Sequence, residues 1–206
     1  MPLDLAALIA PATTAVITSE CQRGVVGDLS NLPELGEAAA GGMLARIAEI
    51  TDAARRVSSH VIHCTAERRA DGAGANQNSR LFQYMAKAKH PLIEHTPAVE
   101  IVPEIDVMEA DFVLSRLHGL SPFHGTDLDP ILRNLGVTTI VATGVSVNVA
   151  IQALTYEAVS AGYQVVIPKD AVAGFPKGYA DMVFEHSLGA IATLVSTADV
   201  LDAWRG

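Results

Sequence analysis

Apolar and polar residues fall in alternating blocks along this chain, and one block sets the frame for the rest. Residues 138–143 (Thr-Thr-Ile-Val-Ala-Thr) are uncharged and rich in β-branched side chains, the pattern of a strand buried on both faces, and Gly144 punctuates its end. From Val147 the spacing turns helical, with Ile151, Leu154, Tyr156 and Ala158 continuing towards Gly162. A strand, turn and helix in this order leave unpaired backbone N–H groups at a helix N-terminus, where anions are favoured. In an open α/β sheet ligands sit just beyond the carboxyl ends of the strands, so residues 144–150 are the predicted floor of a site.

Shorter blocks repeat the logic. Residues 13–19 form a first strand, ended by the polar cluster that begins at Glu20, and residues 25–38, rich in Gly, Asn and Pro, read as a loop. Met43, Ile47, Ile50, Ala54 and Val57 then make one stripe of a helix, with Arg46, Glu49, Asp52 and Arg56 on the other face. A second strand at 60–65 runs into Ala66-Glu67-Arg68-Arg69. Residues 70–78 read as a surface loop or lid. Gly72 and Gly74 are only a fragment of a dinucleotide fingerprint, with no strand directly before them and no third glycine. Residues 79–89 read as a short helix, and the irregular, proline-containing segment at 90–103 suits a pocket edge. A strand at 111–115 ends in Arg116, and Thr126 reads as the N-cap of a helix reaching Leu135. Strands at 163–168 and 190–196 flank a helix at 179–188. Strands alternating with helices predict a single domain over residues 1–206 with a mainly parallel sheet of roughly six strands, covered on both faces as a Rossmann-like three-layer α/β/α sandwich.

Composition narrows the partners. Half of the 206 residues are apolar, ample for one full-sized core. A formal net charge of -9 and no clustering of Lys or Arg argue against nucleic acid and for a small-molecule substrate. Two cysteines, Cys21 and Cys64, are too few for a disulfide scaffold and fit a reducing cytoplasm. Residues 3–16 are apolar, but they lack a basic leading region, carry Asp4 and enter a strand, so they read as mature protein and not as a signal peptide. The uncharged interval from Arg133 to Glu157 holds Gly144, Asn148 and Gln152 and reads as strand plus helix, with no membrane span.

Four segments, 15–22 (Ala-Val-Ile-Thr-Ser-Glu-Cys-Gln), 121–129 (Ser-Pro-Phe-His-Gly-Thr-Asp-Leu-Asp), 144–150 (Gly-Val-Ser-Val-Asn-Val-Ala) and 162–171 (Gly-Tyr-Gln-Val-Val-Ile-Pro-Lys-Asp-Ala), resemble the isochorismatase-like hydrolase superfamily. That superfamily includes cysteine amidohydrolases such as nicotinamidases and N-carbamoylsarcosine amidases. The resemblance runs from Thr14 to about residue 173. It implies a catalytic Asp at the first strand tip, a Lys at the middle one and a Cys nucleophile after the central strand. This chain has Glu20, Arg116 and Ala150 there, with Arg116 matched through a one-residue insertion before Phe123.

The Ala150 methyl group cannot form an acyl intermediate. Cys21 and Cys64 read as core residues, and the Ser146 hydroxyl is a weaker candidate nucleophile. In the resemblance, Ser146 follows a cis peptide and lends its backbone N–H to an oxyanion hole, with the Ala150 N–H as second donor. The superfamily's isochorismatases also lack the cysteine, because vinyl-ether cleavage needs only a general acid and water. Glu20 is then the proton-transfer group. Arg116 stays charged and suits an ionised Glu20 better than a neutral one, unless a substrate carboxylate engages the guanidinium. The resemblance thus implies a cysteine-free hydrolase acting on a small carboxylate-bearing substrate at a vinyl-ether or C–N bond, with Arg116 as anion clamp. A structural Glu20–Arg116 ion pair in a non-catalytic binding protein is the alternative, and a cysteine amidohydrolase in which Ala150 replaces the nucleophile is a third.

Glu67 matches a tip where nicotinamidases carry a metal-binding Asp and isochorismatases a Gln. The metal version needs histidines just downstream, where this chain has Arg68, Arg69 and Ala70, so no metal or other cofactor is expected. Glu67 is a substrate partner or a counter-charge for its arginine neighbours. His118 faces the pocket or solvent, and Phe123 packs over the substrate or over the helix beneath it. Asn148 is expected to cap the following helix or brace the turn. The resemblance also implies a homodimer or homotetramer.

Overall fold

The computed structural model describes residues 4–205; residue 3 of the apolar stretch at 3–16 lies outside them. A short helix α1 (Leu5–Leu8) and a 3-10 turn (Pro11–Thr13) lead into strand β1 (Thr14–Ser19). Helices α2 (Pro33–Ala40) and α3 (Met43–Arg56) precede strand β2 (His60–Ala66), and α4 (Arg80–Ala86) precedes β3 (Phe112–Arg116). Then come α5 (Leu128–Asn134), β4 (Thr139–Val145), α6 (Ala150–Ser160), β5 (Gln164–Pro168), β6 (Val172–Ala173), α7 (Lys177–His186), β7 (Thr193–Val195) and α8 (Thr197–Ala203).

The strands form one seven-stranded sheet in the order β3-β2-β1-β4-β5-β7, with the two-residue β6 beside the end of β4. The pairings between these strands are all parallel. Alternation along each strand divides the core in two. Val16, Val61, Val141 and Val166 pack with Ile47 and Ile50 of α3 and Val200 of α8. Ile17, Ile62, Ile140 and Ile167 pack on the opposite face with Leu128 and Leu132 of α5, Ile151 and Leu154 of α6, and Val183 of α7. Each fully buried Leu or Ile contributes about 1.5–3 kcal/mol. Such side chains supply both covers of a three-layer sandwich.

The chain adds strands outward from β1 to β3 in one direction and from β4 to β7 in the other, so β1 and β4 flank the topological switch point. Their register, and that of the neighbouring pairs, levels the carboxyl ends: Ser19 lies opposite both Gly144 and Cys64, and Ala66 opposite Arg116. Four predicted site segments therefore leave the sheet along one edge.

Local departures from the sequence reading have identifiable causes. The segment 25–38 is not all loop, because α2 starts at Pro33 and buries Leu35 and Ala39. Only these two positions are anchored, with Gly36 between them, and no apolar stripe shows. Helix α5 begins at Leu128 with Asp127 as N-cap, while Thr126 instead donates its hydroxyl to Pro122 O at 2.7 Å and accepts from Leu128 N at 3.2 Å. Helix α8 lies beyond the last expected element and starts with a capping box between Ser196 and Asp199. Trp204 then donates to Ile9 O at 2.8 Å, tying the two ends of the described chain together.

Candidate active site

Glu20 is the first residue past β1, and its φ of 53° lies in the left-handed region that residues other than Gly, Asn and Asp seldom occupy. The kink turns its side chain over the sheet edge while its N–H stays bonded to Cys64 O at 2.9 Å. A glycine would hold this conformation with less strain than the glutamate that occupies it. Two residues on, the fully buried amide of Gln22 braces the tips of β1 and β2. It donates to Ala66 O at 2.9 Å and Val99 O at 3.0 Å, and accepts from Ala66 N at 2.8 Å.

Arg116, the last residue of β3, is only 6% exposed and donates through Nη2 to Glu20 Oε1. It also makes long contacts to the carbonyls of Gly119 (3.5 Å) and Leu120 (3.4 Å), while its buried Nη1 has no partner among the described residues. Its loop is fixed from behind. Glu157 of α6 accepts from the Ser121 hydroxyl and from His124 N at 3.1 Å, and Ser121 Oγ in turn accepts from Phe123 N at 3.0 Å.

Between β4 and α6 the Val145–Ser146 peptide is cis. Ser146 O accepts from both Val149 N and Ile151 N at 3.1 Å. The intervening Ala150 opens α6, is 2% exposed and lines the cavity. Gly144 permits this turn to lie against β1: its φ is +101°, and a Cβ there would stand 2.3 Å from Ser19 O.

These groups line one cavity of about 310 Å³. Glu20, Glu67, Arg116, His118, Ser146 and Ala150 all contribute to its wall, so the structure brings together six of the seven residues singled out from sequence. Phe123 is the exception. It is 8% exposed and packs edge-on against Tyr163, ring centroids 5.8 Å apart, so it covers the core beneath α6 and not the cavity. Asn148 lines the cavity but is not the helix cap, which is Val149; its Nδ2 reaches Phe175 O at 3.4 Å. Its role is to brace the turn.

Sequence reasoning missed much of the remaining wall. Leu32 and Leu35, Phe82 and Met85, and Leu92 supply an apolar side, with Leu92 coming from the proline-containing segment expected at the pocket edge. Arg68 and Asn76 also face it. The Ser79 hydroxyl, accepting from Phe82 N at 3.2 Å, caps α4, whose residues Phe82 and Met85 line the cavity. Both cysteines are buried and unpaired. Burial pushes the Cys64 thiol up to about 12 and the Cys21 thiol higher still, so neither offers a thiolate. Among the described residues no group of three or more His, Cys, Asp or Glu is placed to hold a metal ion, and no helix is long and apolar enough to cross a membrane.

A parallel α/β sandwich with an acid, a guanidinium and a helix-start turn gathered at its switch point places its cavity where open sheets of this class bind ligands. Residues 14–199 match the isochorismatase domain family model, and the chain belongs to the isochorismatase family of hydrolases. It is similar to the uncharacterized isochorismatase family protein YwoC of Bacillus subtilis (strain 168), 38% identical over 76 residues. That match takes in 37% of this chain and 40% of YwoC. Among solved structures it is similar to a cysteine hydrolase from Pseudomonas syringae pv. phaseolicola 1448A, with 26% identity, a TM-score of 0.80, and 96% and 95% of the two chains covered. An isochorismatase family protein from Burkholderia thailandensis follows with 25% identity, a TM-score of 0.78, and 95% and 97% covered.

Proposed function

We propose that this protein hydrolyses a vinyl-ether or C–N bond of a small carboxylate-bearing substrate without forming a covalent enzyme intermediate. The observation that carries the reading is the ion pair of Glu20 and Arg116 on the cavity wall that also holds the Ala150 methyl group. A methyl at the family's nucleophile position leaves water as the attacking group. In C–N cleavage, Glu20 accepts a proton from that water as it adds to the carbonyl carbon and returns it to the departing nitrogen. The N–H groups of Ser146 and Ala150 face the oxygen on which negative charge grows. In vinyl-ether cleavage, Glu20 delivers a proton to the terminal carbon of the double bond, water adds to the resulting oxocarbenium carbon and returns a proton to Glu20, and the hemiketal so formed breaks its C–O bond to the departing alcohol, which takes the hydroxyl proton as the ketone forms. A substrate carboxylate takes the unpartnered Nη1 of Arg116 and loosens its hold on Glu20, freeing the carboxyl for either task.

The same ion pair supports a second reading, a small-molecule binder that retains the pocket without turnover. The two are separated by incubating the protein with isochorismate, small amides and ureido acids while following pyruvate and ammonia. Release that disappears in Glu20→Gln supports hydrolysis. Saturable binding with no release from any substrate supports the binder, and release undiminished in Glu20→Gln removes Glu20 from the mechanism.

A further inference from the structure

We infer that the substrate carries a hydrocarbon tail that lies between α2 and α4, with Phe82 and Met85 setting the length and bulk it can have. This rests on the reading above, in which Glu20 and Arg116 take the reacting head. Leu32 and Leu35 of α2, together with Leu92, face the same cavity as that pair. They are a flank of the core that the protein leaves uncovered: Leu35 belongs to the layer built on α3, and Leu32 and Leu92 pack against it.

Helix α4 closes the hollow from outside. Phe82, Met85 and Ala86, spaced three and four residues apart, share one face of the helix and line the cavity. No residue of α4 is buried, and among the described residues Phe82 and Met85 join neither core layer. Seven residues are too few for a helix to persist in water by itself, yet the apolar face of α4 looks into a space. Polar bonds hold it in place instead. Tyr84 donates to Asn31 O at 2.9 Å and Gln83 to Gln77 O at 3.1 Å, while the Asn31 side chain accepts from His90 N at 2.9 Å. These bonds keep α4 standing off from α2, and a hydrocarbon chain in the gap would cover both apolar walls at once.

The rest of the lining agrees. Leu81, Leu117, Leu120 and Phe175 are each at least 36% exposed and also line the cavity, so apolar surface continues to its mouth. Glu34 and Gln77 are exposed and keep their water, and Asn76 Oδ1 is taken by Gly119 N at 2.8 Å. The Arg68 Nη2 lies by the Gly72 turn, 4.0 Å from where a Cβ there would stand.

The test is calorimetric titration of the whole protein with butyrate, hexanoate, octanoate and 4-phenylbutyrate, each against its primary amide. Affinity for the straight chains is expected to rise about two- to fourfold with each added methylene. Met85→Glu, which sets a charge between the two helices, should weaken octanoate at least about tenfold and leave butyrate within about twofold. Phe82→Ala should make the rise shallower. Because α4 buries nothing, both variants should melt within about 2 °C of the parent, which excludes a folding defect. Octanoate bound no tighter than butyrate, or a rise unchanged in both variants, overturns the tail, and acids that still outbind their amides then keep Arg116 in place. A rise shared equally by acids and amides removes Arg116 as the carboxylate clamp and upholds the tail. Failure of all these compounds to bind overturns the Arg116 reading and this inference together.

Discussion

The side-chain amide of Gln22 pairs with both backbone groups of Ala66, across the gap between the ends of β1 and β2. It is the brace that keeps Glu20 and Glu67 on one cavity wall. Replacing Gln22 with Ala removes the partner of one part-buried N–H and two part-buried carbonyls. The expected cost is about 2–4 kcal/mol, read as a lower urea midpoint at unchanged slope. A loss below about 0.5 kcal/mol would show that the tips hold without it.

Gly144→Ala is expected to be far worse than an ordinary glycine replacement. The new methyl would meet the Ser19 backbone at 2.3 and 2.7 Å in a conformation with φ of +101°. Backbone, unlike a flexible side chain, cannot swing aside. Destabilisation of at least about 3 kcal/mol follows, whereas Gly178→Ala, with nothing near its added Cβ and a place inside α7, should be neutral or slightly stabilising. Comparing the two melting temperatures checks the contrast.

Thiol chemistry distinguishes the position of Ala150 from the natural cysteines. Neither Cys21 nor Cys64 should react with Ellman's reagent in the folded protein, and both should react after unfolding. Ala150→Cys places a thiol at the start of α6 on the wall it shares with Arg116, an arrangement that favours the thiolate. One rapidly labelled thiol per chain is expected. Ammonia release from small amides by this variant, absent in the parent, would mark a site equipped for acyl transfer in every respect but its nucleophile.

Acid should weaken the fold through a buried network away from the cavity. His63 accepts from the Thr18 hydroxyl at Nδ1 (2.8 Å) and donates from Nε2 to Asp111 (3.3 Å), which also receives the Arg55 fork at 3.2 and 2.7 Å. Burial holds the imidazole below its ordinary 6.5, outweighing the pull of Asp111. Burial alone would raise the Asp111 carboxyl, but Arg55, the Met108 N–H and His63 together hold it below the usual 3.8. In both cases the unfolded chain binds more protons than the folded one. Stability is therefore full above the unfolded histidine value and falls as pH drops below about 6.5, with Asp111 adding to the loss at lower pH. Melting temperatures from pH 8 to 4 check this. His63→Gln should flatten the upper part of the fall, and an equal slope in the variant would remove His63 as its source.

How much of this was legible in the sequence depended on how each feature is encoded. The strands around 14–19, 60–66 and 139–145 stood out because burial on both faces demands unbroken β-branched runs. Glu20, Arg116 and Ala150 stood out because they differ from the residues that the family resemblance implies at those strand tips. Helix α2 did not, since its cover of the core needs only Leu35 and Ala39. Phe123 takes the second of the two placements its motif left open, packing on the core beneath the loop that Ser121 and Glu157 tie down, a choice that the motif alone does not make. Arg68 gave no signal of its own, for its neighbour Arg69 looks identical in sequence. Only the pairing of Arg69 with Asp71 and of the Arg68 backbone with residues 92–94 tells them apart.

The level ends of β1, β2 and β4 also limit how this protein can change in length. Adding or deleting a single residue inside any of these strands would flip everything downstream to the other face, moving Ile17 or Ile62 into the opposite core layer, which is packed for different side chains, and displacing the tip residue from the sheet edge. Length variation is thereby confined to the connecting segments, and the pocket's outer wall can be remodelled for new ligands while its floor stays where it is.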